Sequence, residues 1–151
     1  MKYLSLLRVN LVTALFVAVS AVLSVVVPKV ELERAVAQST IGDGEVLSRA
    51  PTTIRSGESA ALFFETARYQ GLIRGVVIVD RDLITDVVIF QAREGHDGTA
   101  FVSNDFARSF QGLPATPPVS VDVVSGATVS SQAVNDAINE RLTYWKRLQK
   151  K

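Results

Sequence analysis

Apolar and polar positions change their period several times along this chain, and each change marks an element. Val9 to Pro28 carries no charged residue and is filled with Leu, Val, Ala and Phe. As a helix at about 1.5 Å per residue the run would reach roughly 30 Å, the thickness of a bilayer's hydrocarbon core. This pattern predicts a membrane helix or a signal segment at residues 1–30. Glu31 to Arg55 then mixes charges with Gly42, Gly44, Ser48 and Pro51 and holds neither a two-residue nor a 3.6-residue period, which reads as a stalk or linker. A folded domain is expected over 56–151. Its first strand candidate is Leu62-Phe63-Phe64 with Ala67 and Tyr69, a stretch that a short helix also fits. Gly71 to Val79 and Leu83 to Gln91 are dense in β-branched residues and flank Asp80-Arg81-Asp82, so they predict a hairpin. Both strands are apolar at nearly every central position, which predicts a sheet covered on both faces.

Beyond the hairpin the pattern breaks into charge and glycine at Arg93-Glu94-Gly95-His96-Asp97-Gly98, the composition of a loop. Val102, Phe106 and Phe110 fall four apart and predict a short amphipathic helix. Pro114, Pro117 and Pro118 stiffen the connection to an expected strand over Val119 to Val124. From about Ser130 the positions Val134, Ala137, Ile138, Leu142, Trp145 and Leu148 keep helical spacing, and Lys146, Arg147, Lys150 and Lys151 gather at the negative end of the helix dipole. The expected fold class is α+β: a twisted, largely antiparallel sheet packed by a long C-terminal helix, preceded by one N-terminal transmembrane helix.

Composition narrows the chemistry. The 151 residues can bury one substantial core, and 16 basic against 15 acidic side chains give no basic surface that would favour nucleic acid. The absence of cysteine excludes disulfides, thiolate metal sites and cysteine nucleophiles, and the single histidine, His96, excludes a multi-histidine metal site. Redox chemistry here would need an organic cofactor. No glycine-rich dinucleotide fingerprint follows any expected strand, so no nicotinamide site is predicted. For the N-terminal segment, the one small-x-small cleavage candidate, Ala35-Val36-Ala37, lies beyond Lys29, Glu31, Glu33 and Arg34, which favours a retained anchor over a cleaved signal. Lys2 and Arg8 precede the apolar run and place the bulk of the chain outside the cytoplasm.

The candidate chemistry sits at the junction Val121 to Val134. An expected strand ends, Ser125-Gly126-Ala127-Thr128 turns, and a helix begins. Unpaired N–H groups and the positive end of a helix dipole hold a phosphate, and Gly126 and Ala127 let it approach the backbone. Thr128, Ser130 or Ser131 could equally serve as a plain N-cap. A serine-hydrolase reading fails, since the stretch is not a nucleophile elbow and His96 has no partners arranged around it.

Asp122-Val123-Val124-Ser125-Gly126-Ala127-Thr128 matches in full the pattern Asp-x-x-Ser-Gly-Ala-Thr, and on it the chain resembles the FMN-binding domain family from about Ala60 to Trp145. That family includes the C subunit of the sodium-translocating NADH:quinone reductase and the G subunit of the Rnf complex, anchored proteins with an extracytoplasmic domain. The resemblance implies covalent FMN on Thr128 through a phosphoester, with Ser125, Gly126 and Ala127 as the turn beneath the phosphate. Asp122 would be part of the signal read by a separate flavin transferase that uses FAD and magnesium and releases AMP. It implies an electron carrier in the cytoplasmic membrane, single-pass, working with a membrane redox partner or complex. The chain departs from its relatives at Glu94-Gly95-His96-Asp97-Gly98, where they carry a Glu-Thr-Pro-Gly-like stretch. Arg93, Glu94 and His96 read either as neighbours of the flavin ring or as ordinary solvated loop residues, Phe101 is a candidate without an assigned role, and Tyr144 and Trp145 read as helix packing. Two other classes stay open: a domain holding FMN without a covalent bond or serving as a structural subunit, and a module for another anion.

Overall fold

A computed structural model of the chain describes residues 29, 31–68, 71–92 and 104–150. The anchor candidate over 9–28, the loop at 93–98, Phe101 and Val102 lie outside the described residues. Among those described, no helix is long and apolar enough to cross a membrane. The chain divides into two units at Ala35/Val36. Residues 31–41 are helical (α1), and everything that follows concerns the second unit, which takes in α1 from Val36 onward.

That unit is built on five strands, β1 (Glu45–Arg49), β2 (Thr52–Ser56), β3 (Ser59–Arg68), β4 (Gly71–Asp80) and β5 (Leu83–Ala92), which pair antiparallel in chain order as a meander. Two helices follow, α2 (Asn104–Arg108) and α3 (Thr128–Gln149). The α+β expectation and the predicted hairpin are both met, with Arg81 and Asp82 as the two-residue turn between Asp80 and Leu83.

The near-continuous apolar runs of β3 and β4 reflect burial on both faces. Ala60, Leu62, Phe64, Ile73, Val77 and Val79 join Phe106, Phe110, Val134, Ile138, Leu142 and Trp145 in one core under α2 and α3. Their alternates Ala61, Phe63, Val76 and Ile78 join Ile54 in a second core, where Val36, Ala37 and Ile41 of α1 pack. Opposite Ile78 and Val79 of β4 the register shifts, so Thr85 of β5 is extra and the inward parity of β5 changes from Ile84 to Val87 and Ile89. Trp145 is core, as the helical spacing implied.

Two sequence expectations are corrected here. The sheet starts at Glu45, inside the stretch read as a stalk from 31 to 55. Its strands escaped notice because each is five residues long. Leu47 is moreover an extra residue in the β1–β2 pairing, so Leu47 and Ser48 fall on the same side of the strand, opposite to Val46, and the two-residue period breaks there. A long-range tie secures β2: the buried Arg141 on α3 donates from its Nη2 to Thr52 O at 3.0 Å and to Thr53 Oγ1 at 2.7 Å. The second correction is the strand expected over Val119 to Val124, which is not part of the sheet. At its start the outer edge of β5 is already occupied by residues 112–115, through Ile84 N to Leu113 O at 2.9 Å and Gly112 N to Ile84 O at 2.8 Å.

Candidate functional site at the start of the last helix

The segment from Val119 to Val124 pairs with a helix instead of a strand. Asn139 accepts the Val119 N–H at 2.6 Å on Oδ1 and donates from Nδ2 to Val119 O at 2.7 Å. One turn earlier Asn135 does the same for Val121, at 3.3 Å and 3.1 Å. One turn earlier again, the Ser131 hydroxyl accepts the Val124 N–H at 3.1 Å. Side chains four residues apart lie on one helix face, so Ser131, Asn135 and Asn139 form a polar row that replaces a strand's backbone. Between the two asparagines the spacing fits: two extended residues advance roughly 6.6 Å and four helical residues roughly 6.0 Å. Val119, Val121 and Val124 pack on the main core while Ser120, Asp122 and Val123 are exposed.

This row went unrecognised in the sequence. Its signal was there: polar residues at four-residue intervals on an otherwise core-facing helix, with Asn135 and Ser131 buried.

At the end of the segment the chain makes a β-turn from Val124 to Ala127, closed by Ala127 N to Val124 O at 3.0 Å. Gly126 has φ +82° and Ser125 does not have positive φ, the signature of a type II turn with glycine at its third position. Ser131 clasps this turn from beneath: besides accepting from Val124, it donates from Oγ to Ala127 O at 2.9 Å, and it is 0% exposed. Ser131 is therefore neither a ligand nor an N-cap.

The N-cap of α3 is Ala127, and no side chain caps it. None of the three hydroxyl residues that could have done so does. The N–H groups of Thr128, Val129 and Ser130 consequently have no partner among the described residues, and the first turn of this 22-residue helix carries no acidic side chain to oppose its dipole. Thr128 is exposed on that turn. Of the predicted site residues, Ser125, Gly126, Ala127 and Thr128 are thus brought together as turn and helix start. Asp122 stands apart on the exposed side of the extended segment, with no hydrogen bond to Thr128. Val123, 46% exposed, and Val129, 52% exposed, leave apolar surface on either side of the turn. The ring candidates Arg93, Glu94, His96 and Phe101 lie outside the described residues.

Residues 69–143 match the FMN-binding domain family, a stretch running from the start of β4 through the motif to Thr143 in α3. Over this stretch the chain belongs to that family. No curated protein matches it. The FMN-binding domain as matched omits β1 to β3, which complete its sheet. Its cofactor is a flavin phosphate, and the site fits one end of it. A phosphate needs N–H donors free of other partners and a backbone it can approach, and the uncapped start of α3 behind Ser125 and Gly126 supplies both. Among the described residues no group of three or more acidic or histidine side chains could hold a metal.

Proposed function

We propose that this FMN-binding domain carries its flavin covalently, phosphoester-linked to Thr128, and that it relays electrons between redox partners at the outer face of the cytoplasmic membrane. The single observation that supports the attachment is the uncapped start of α3, where an exposed threonine and open N–H groups stand within a family-matching motif. In this reading the amides of the first helical turn hold the phosphate and Gly126 shapes the turn beneath it. Thr128 supplies the bridging oxygen, and Val123 and Val129 offer apolar contact to the ring. The flavin, when bound, supplies the redox couple that no side chain of this chain has. The protein's part is to hold the group, orient it and leave it reachable by partners.

Thr128 needs help to become esterified. A threonine alcohol is a weak nucleophile unless a base or metal activates it, and its hydroxyl has no hydrogen-bond partner among the described residues. A separate transferase with FAD and magnesium fills that need. The Thr128 oxygen bonds to the flavin-side phosphorus, the pyrophosphate bond breaks, AMP departs and the hydroxyl proton passes to a base on the transferase. The apolar run over 9–28 would anchor the domain to the membrane, where its electron donor and acceptor also reside.

Denaturing electrophoresis under ultraviolet light tests this. A fluorescent band is expected from the wild type co-expressed with a transferase and from Ser130→Ala, and none from Thr128→Ala. Flavin that leaves the wild type on denaturation would mean FMN is held without a covalent bond; a colourless wild type would favour a module for a different anion.

A further inference from the structure

Few polar side chains in the first two turns of α3 can reach a group held by Thr128. At about 100° per residue, Ser130 points roughly 200° around the helix from Thr128. Ser131, three residues on, lies nearer that face, but its hydroxyl is 0% exposed and bonded to the turn. Asn135, seven residues on, returns to the face of Thr128 and spends its amide on Val121. Gln132 is different. It stands four residues after Thr128, about 40° around, and is exposed. Its carboxamide has no hydrogen-bond partner among the described residues. Side chains on a helix lean toward its N-terminus, so each covers the turn before its own Cα. Gln132 therefore extends over the turn that begins with Thr128, from a Cβ about 5–6 Å away, a gap that the rest of a glutamine side chain can close.

We infer that Gln132 is a ligand of the flavin phosphate, donating from its carboxamide Nε2 to a phosphate oxygen on Thr128. The inference rests on the attachment reading above and adds a side-chain donor to the open amides of the first turn. The motif ends at Thr128, so nothing in it calls for a donor at 132. A phosphodiester keeps a negative charge at neutral pH, and donors to an anion make the stronger hydrogen bonds. A neutral amide suits the position for a second reason. The first turn carries no acidic side chain, and the nearest acid along α3 is Asp136, a turn beyond Gln132. A glutamate at 132 would set a like charge against the phosphate.

Nuclear magnetic resonance of the full chain in detergent, isotopically labelled at glutamine nitrogen, reads the contact without any redox assay. The Gln132 side-chain signals are assigned by their loss in Gln132→Ala. On loading with transferase, FAD and magnesium they should shift, and their exchange with water should slow about tenfold, the equivalent of one hydrogen bond. In Thr128→Ala, given the same treatment, they should not move. The phosphorus resonance of the loaded phosphoester should shift in Gln132→Glu, which keeps the side chain's shape and loses its donor. Loaded wild-type protein in which Gln132 exchanges as fast as before overturns the inference and leaves the attachment site standing. So does a phosphorus resonance identical in Gln132→Glu and wild type, which would set Gln132 away from the phosphate. A wild type that gains no flavin overturns the attachment reading, and this contact with it. Should Gln132→Glu not load, the exchange measurement on the wild type decides alone.

Discussion

Replacing Asn139 by alanine perturbs the device that holds the motif without touching the motif itself. Two hydrogen bonds to Val119, at 2.6 Å and 2.7 Å, are lost together. A typical bond contributes about 1 kcal/mol net, and a donor or acceptor left without water costs more, so the loss should reach about 2–3 kcal/mol. Val119 is 7% exposed, which puts its orphaned backbone groups at the costly end of that range. For a domain of this size the melting temperature should fall by about 10 °C. Thermal unfolding by circular dichroism measures the total, and amide exchange locates it. Val119 should exchange faster, whereas Val77, in the middle of β4, should change only as far as global stability does. Transferase loading of Thr128 should slow, since the segment leading to it frays. A melting temperature within about 2 °C of wild type, with Val119 still protected, would refute the claim that α3 side chains serve as the segment's strand partner.

Gly126→Ala should cost about 1–2 kcal/mol from the positive φ alone, because a Cβ there meets nothing within 4 Å; Gly126→Asn should cost less, and chemical denaturation compares them. Gly75→Ala drives a Cβ against the Phe64 ring and to 2.8 Å from Val88 O, so a destabilisation of about 2–3 kcal/mol is expected. Adding Phe64→Leu should recover only part of that, since the Val88 carbonyl stays in place; a full recovery would mean the backbone contact is unimportant.

Elements whose apolar period is long and unbroken were legible in the sequence. The β4–β5 hairpin and α3 carry ten or more residues each in one pattern, and their packing followed from it. β1 and β2 were not legible, because five-residue strands with a bulge at Leu47 leave too few positions for a period to show. The Val119–Val124 segment was legible as extended chain but not in its partner. Its valines have strand propensity wherever they sit, while the choice between sheet edge and helix face depends on Asn135 and Asn139 from a distant part of the chain. At the site, the turn and helix start could be read from Ser125 to Thr128, but the clasp by Ser131 could not. A serine near a helix start reads as a cap by local rules, and only the fold shows this one turned inward with 0% exposure.

Intact mass spectrometry of the full chain, with and without a transferase, FAD and magnesium, tests the attachment most directly. The account predicts that the wild type and Ser130→Ala gain the mass of one FMN less one water, and that Thr128→Ala stays at its polypeptide mass. Wild-type protein that remains at its polypeptide mass after exposure, or a Thr128→Ala chain that gains the adduct, would contradict it.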